Sequence, residues 1–65
     1  MSMRALRAFC IAAEHGSFRL AADYLYLTAS AVSHQIKQLE DTLGERLFIR
    51  KPRSLKLSEA GKALV

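Results

Sequence analysis

Ser30, Ser33, His34 and Lys37 stand within one short stretch, and the first chemistry their types suggest is nucleophilic attack. A serine beside a histidine invites pairing of a hydroxyl with a base. Neighbours on a helix, however, point about 100° apart, and no acid is placed to orient the imidazole, so the stretch carries no catalytic constellation. Metal chemistry fails on spacing too, since Cys10, His15 and His34 show no paired arrangement of a zinc site. Recognition of a polyanion fits better. Hydroxyls, an imidazole and an ammonium can donate to phosphate oxygens and reach base edges. A second group, Arg50, Lys51, Arg53 and Lys56, surrounds Pro52 and makes a local positive field suited to nucleic acid or an acidic membrane surface. A merely solvated loop would have the same composition.

The positive charge is placed rather than spread. From Met1 to Glu45 four basic residues stand against five acidic ones, a net of −1. From Arg46 to Val65 six stand against Glu59 alone, a net of +5, and the two parts give the chain its +4. Sixty-five residues leave room for one small domain. Hydrophobic residues at 51% and charged residues at 25% exclude disorder and fibrous repeats. No charge-free run approaches the roughly 18 apolar residues of a membrane span, and Met1 to Glu14 lacks a secretion signal. A single cysteine cannot form an internal disulfide, which fits a reducing compartment; the expectation is a soluble, cytoplasmic chain without a membrane partner.

The elements that must position these groups follow from periodicity. Met3, Leu6, Phe9, Cys10 and Ala13 recur at helical spacing and predict a first helix from about Ser2 to His15, with Cys10 in its apolar stripe and Gly16 as its cap. Ser17 opens a short second helix whose core face is Phe18, Ala21, Ala22 and Leu25. The N-terminus that Ser17 caps is also placed to touch a phosphate. Thr28 or Ser30 caps a third helix, with Val32, Ile36, Leu39 and Leu43 buried and Gly44 at its end. Leu47-Phe48-Ile49 and Leu55-Lys56-Leu57 predict two short strands around the turn Lys51-Pro52-Arg53-Ser54. Ser58 with Glu59 starts another helix, two turns of which are written before Val65. A chain that ends just after launching a helix reads as part of something longer.

On the third helix, Ser30, Ser33, His34 and Lys37 fall opposite the predicted core stripe, and the acids Glu40 and Asp41 come later. A helix-turn-helix sends such a face into the major groove, and a following basic hairpin can lie along the adjacent minor groove and phosphates. Tyr24 and Tyr26 are expected to pack or to stay exposed rather than to stack on bases, and Lys62 to be a solvated helix charge.

Here a resemblance becomes specific. Leu6-Arg7-Ala8-Phe9, Gly16-Ser17-Phe18, Ala21-Ala22, Leu25, Leu27-Thr28, Ser30-Ala31-Val32-Ser33, Gln35-Ile36, Leu39-Glu40, Leu43-Gly44, Leu47-Phe48, Arg50, Arg53 and Leu57-Ser58-Glu59-Ala60-Gly61 occur in order. Together they resemble the N-terminal winged helix-turn-helix of the LysR-type transcriptional regulators across essentially the whole chain. The Ser-His-Gln-Ile form at Ser33 to Ile36 is closer to the branch resembling glycine-cleavage regulators. Ala29 stands where the family usually has Gln, and His34 replaces the common Arg or Lys, which alters the usual base-reading scheme.

The resemblance implies a mainly α fold of three helices plus a small two-stranded wing over residues 1–57, and the start of a dimerising linker helix over residues 58–65. It implies sequence-specific binding of double-stranded DNA by Ser17, Thr28, Ser30, Ser33, His34, Lys37, Arg50 and Arg53. In longer relatives the linker leads to a ligand-binding domain of periplasmic-binding-protein type, so a homo-dimer or higher oligomer and a small-molecule effector are expected only through parts absent from these residues. Neither a cofactor nor an enzymatic role is implied. The competing class is a winged helix that contacts protein or generic nucleic acid.

Overall fold

The computed structural model describes residues 2–52 and 54–65. Every helix in it starts on a side-chain hydroxyl that satisfies a free backbone N–H. Ser2 accepts from the Ala5 N–H at 3.1 Å and opens α1, Met3–His15. Ser17 accepts from Leu20 at 3.2 Å ahead of α2, Phe18–Leu25. Thr28 accepts from Ala31 at 3.1 Å and opens α3, Ala29–Leu43, so Ser30 lies inside the helix rather than capping it. Ser58 accepts from Gly61 at 3.0 Å ahead of α4, Glu59–Leu64. Gly16 and Gly44 close α1 and α3 in the left-handed region, as their positions predict. Tyr26 closes α2 in the same region at φ 58° without being glycine, and the residue is 95% exposed.

The first three helices pack against one another around Phe9, Val32, Ile36 and Leu39, with Ala5, Ala8, Ala12, Ala21 and Ala22 at the contacts. The buried face of α1 is not the one its larger side chains predict. Met3 is 78% exposed, Cys10 is exposed, and Leu6 and Ala13 are only half-buried, whereas Ala5, Ala8 and Ala12 are buried beside Phe9. The small side chains face inward because they let the helices approach closely, and α1 is left with a second apolar stripe outside. On α3 the predicted stripe is buried through Leu39, but Leu43 is 38% exposed at a rim it shares with Ala60, Ala63 and Leu64.

β1, Phe48–Lys51, pairs antiparallel with β2, Ser54–Leu57, in the register Phe48 to Leu57 and Lys51 to Ser54. Leu47, predicted to begin the first strand, lies before it. Its carbonyl still accepts from the Ser58 N–H at 2.9 Å, but its N–H donates to a Glu40 carboxylate oxygen at 2.9 Å instead of across the strands, so the pairing stops there. The side chains of Leu47 and Phe48 nevertheless complete the core. Phe48 stands 5.4 Å, ring centroid to centroid, from both Phe9 and Phe18, and thereby fastens the wing to α1 and α2. Among the described residues, no helix is long and apolar enough to cross a membrane.

Candidate nucleic-acid interface

The sequence places the polar groups of α3 opposite its core stripe, and the structure keeps most of them there. Ser30, His34 and Lys37 are exposed, while Val32 and Ile36, interleaved with them on the opposite face, are fully buried. Ser33 departs from the expectation by being half-buried, at the flank of the exposed face rather than its centre. Lys37 stands 4.0 Å from Asp41, a solvated pair across one helical turn that holds its ammonium only weakly. The N-terminal half of α3 therefore presents two hydroxyls and an imidazole to solvent with no carboxylate among them.

Thr28 and Ser17 are committed as acceptors to their own helices, yet each hydroxyl keeps its hydrogen for another partner. Ser17 also lines a cleft of about 400 Å³ between the head of α2 and the wing, shared with Gly16, Phe18, Arg50, Lys51 and Pro52. A second cleft of about 410 Å³ separates the far half of α3 from the wing root and takes in Lys37, Glu40, Asp41, Glu45, Arg46 and Arg50. Arg50 borders both. It thus stands between the cleft of Ser17, at the head of α2, and the cleft of Lys37 on α3, residues that lie far apart in the chain. Arg53, the other wing arginine expected to bind, lies outside the described residues.

Three contributors escape sequence reasoning. The Phe18 ring lies beneath the Arg50 guanidinium, with Cζ 4.9 Å from the ring centroid. Glu40, which reads as one more surface acid, uses its carboxylate to hold the wing root through Leu47. Gly61 sits where a Cβ would overlap the Leu47 carbonyl oxygen, so only glycine lets α4 approach the root. The Ser58 hydroxyl completes that junction by donating to the Arg46 carbonyl. The only hint in the sequence was the ordered recurrence of Glu40 and Gly61 within the family-like motif, which marks them without giving their roles. Elsewhere, Tyr24 is exposed and tilted against His15, and Lys62 pairs with Glu59 at 3.8 Å in solvent.

Comparison with known proteins agrees with this geometry. The family described as bacterial regulatory helix-turn-helix protein, lysR family, matches residues 3–62. The chain is 56% identical over 61 residues to the glycine cleavage system transcriptional activator of Escherichia coli strain K12, covering 94% of this chain and 20% of that protein. It is 49% identical over 65 residues to the HTH-type transcriptional activator AmpR of Pseudomonas aeruginosa, covering 100% of this chain and 22% of the relative. Among solved structures, the BenM DNA-binding domain in complex with catB site 1 DNA superimposes with a TM-score of 0.94 at 38% identity, over 98% of this chain and 71% of that one. Full-length CbnR complexed with its target DNA gives 0.93 at 35% identity, over 97% and 22%. The chain spans about a fifth of the length of the curated relatives it matches.

Proposed function

The chain belongs to the lysR family of bacterial regulatory helix-turn-helix proteins, and from that premise we propose that it reads double-stranded DNA sequence-specifically as the head of a transcription regulator. The observation that supports the reading is Arg50, which borders both the cleft at the head of α2 and the cleft that takes in Lys37 of α3. In this reading α3 enters the major groove. Ser30, Ser33 and His34 meet base edges there, and Lys37 meets a phosphate. Ser17 and Thr28 donate to phosphates from the heads of α2 and α3, and Arg50 and Arg53 meet the neighbouring phosphates or a narrow minor groove. Residues 1–57 are then the reading head and residues 58–65 the start of a linker helix that pairs two heads. A small-molecule effector would act through a further domain, as the resemblance implies.

A salt titration on duplex DNA, single-stranded DNA and RNA tests this. Sequence-specific reading predicts a strong duplex preference, and a tighter affinity for duplexes selected from a random pool than for unselected ones at every salt concentration. Equal binding to all three polymers would reduce the wing to a generic polyanion site.

A further inference from the structure

Arg50 borders two environments. On one side are Glu40, Asp41 and Glu45, carboxylates able to draw a guanidinium into a charge-assisted pair. On the other is the ring of Phe18, the first residue of α2. The side chain takes the ring, with Cζ 4.9 Å from its centroid. Among the described residues the ion pairs are Arg19–Asp23, Lys37–Asp41 and Lys62–Glu59, and Arg50 enters none of them. The ring is itself fixed, because it meets Phe48 edge-on at 5.4 Å and 86°, and Phe48 lies against the fully buried Phe9. A row of three aromatic rings therefore runs from the centre of the core to the underside of one surface cation.

We infer that Phe18 is a positioning residue for Arg50. Its ring holds the guanidinium above the head of α2 and out of an ion pair with the cleft carboxylates, so that the cation stands preset for a phosphate of the duplex. A guanidinium stacks flat on an aromatic face and keeps its N–H groups free at the edge, whereas an ion pair with Glu40, Asp41 or Glu45 would consume both its charge and its donors. Holding the side chain in place also reduces the conformational freedom lost on binding. The inference rests on the DNA-reading proposal above.

The test compares Phe18→Leu, which stays apolar but loses the π face, with Phe18→Tyr, which keeps it, in binding to a mixed-sequence duplex across a range of salt. Phe18→Leu is expected to weaken binding about three- to tenfold, the scale of one cation–π contact. It should also lower the salt slope toward that of Arg50→Ala. Phe18→Tyr should retain both values, and the double variant Phe18→Leu/Arg50→Ala should bind no more weakly than Arg50→Ala alone. A second measurement needs no variant: the ring current of Phe18 should shift the Arg50 δ-protons upfield in the NMR spectrum of the unmutated protein. Additive losses in the double variant, or δ-protons at their unshifted position, overturn the inference. If Arg50→Ala leaves affinity and slope unchanged, the reading of the wing as a duplex contact fails. If Arg50→Ala weakens binding and a folded Phe18→Leu does not, only the positioning role falls.

Discussion

Ser33 and Ile36 lie on one helix less than a turn apart and should separate recognition from stability. Ile36 is fully buried, so Ile36→Ala should cost about 2–5 kcal/mol of folding free energy through lost transfer energy and a residual cavity. Ser33 is half-buried and makes no hydrogen bond among those seen in the described residues. Ser33→Ala should therefore leave the thermal midpoint nearly unchanged while weakening binding to a selected duplex by about 1–3 kcal/mol. Calorimetry and band-shift on the two variants check this, and comparable losses of stability in both would remove Ser33 from the reading face. Ala29 offers a second test. It is exposed as the first residue of α3, where its methyl can touch a thymine methyl but cannot pair with adenine as a glutamine can. Ala29→Gln should shift the duplexes selected from a random pool toward adenine at one position. An unchanged selection would place that residue away from the bases.

Between elements, the contacts that matter join residues distant in sequence, and this decides what could be read from the chain alone. The caps Ser17 and Ser58 were legible, and that of α3 was narrowed to Thr28 or Ser30, because a cap and the N–H it serves are three residues apart. The inward face of α1 was not, because the helix carries two apolar stripes, and close approach by its neighbours selects the alanines over Met3 and Cys10. The polar face of α3 was legible from its period, whereas Phe18 beneath Arg50 depends on how the wing folds back. The junction at the wing root belongs to the same class. Glu40 on α3 accepts from the N–H of buried Leu47, so Glu40→Ala should leave that donor unpaired and cost about 1–3 kcal/mol. Glu40→Gln retains a carbonyl acceptor and should cost less. Denaturant titration distinguishes them, and equal stability of the alanine variant and the unmutated protein would show the contact to be dispensable. Gly61→Ala should also destabilise, by about 1–3 kcal/mol, since its methyl would overlap a backbone oxygen that cannot swing aside.

At the scale of the whole molecule, the head proposed to read DNA is small and offers few side chains to bases. A single helix-turn-helix contacts a short stretch of duplex, and regulators of this shape gain affinity by placing two heads on half-sites about 34–36 Å apart or a multiple of that. Pairing needs a surface to hold the heads together. Within these residues α4 spans only Glu59–Leu64, too short to be stable as an isolated helix, and its apolar neighbours Leu43 and Val65 are 38% and 73% exposed. The 65-residue chain is therefore expected to sediment as a monomer in dilute solution and to bind duplex weakly. Joining two copies through a flexible linker long enough to span adjacent half-sites should raise the affinity for a two-site duplex by a factor on the order of 10²–10⁴, through the effective concentration of the second head and without any new contact. On a duplex carrying one half-site the gain should vanish, which separates tethering from a general increase in charge. If the untethered chain already sediments as a dimer and binds the two-site duplex as tightly as the tethered pair, the pairing contacts lie within residues 1–65. The apolar stripe that α1 leaves exposed, from Met3 to Cys10, would then be the surface that makes them.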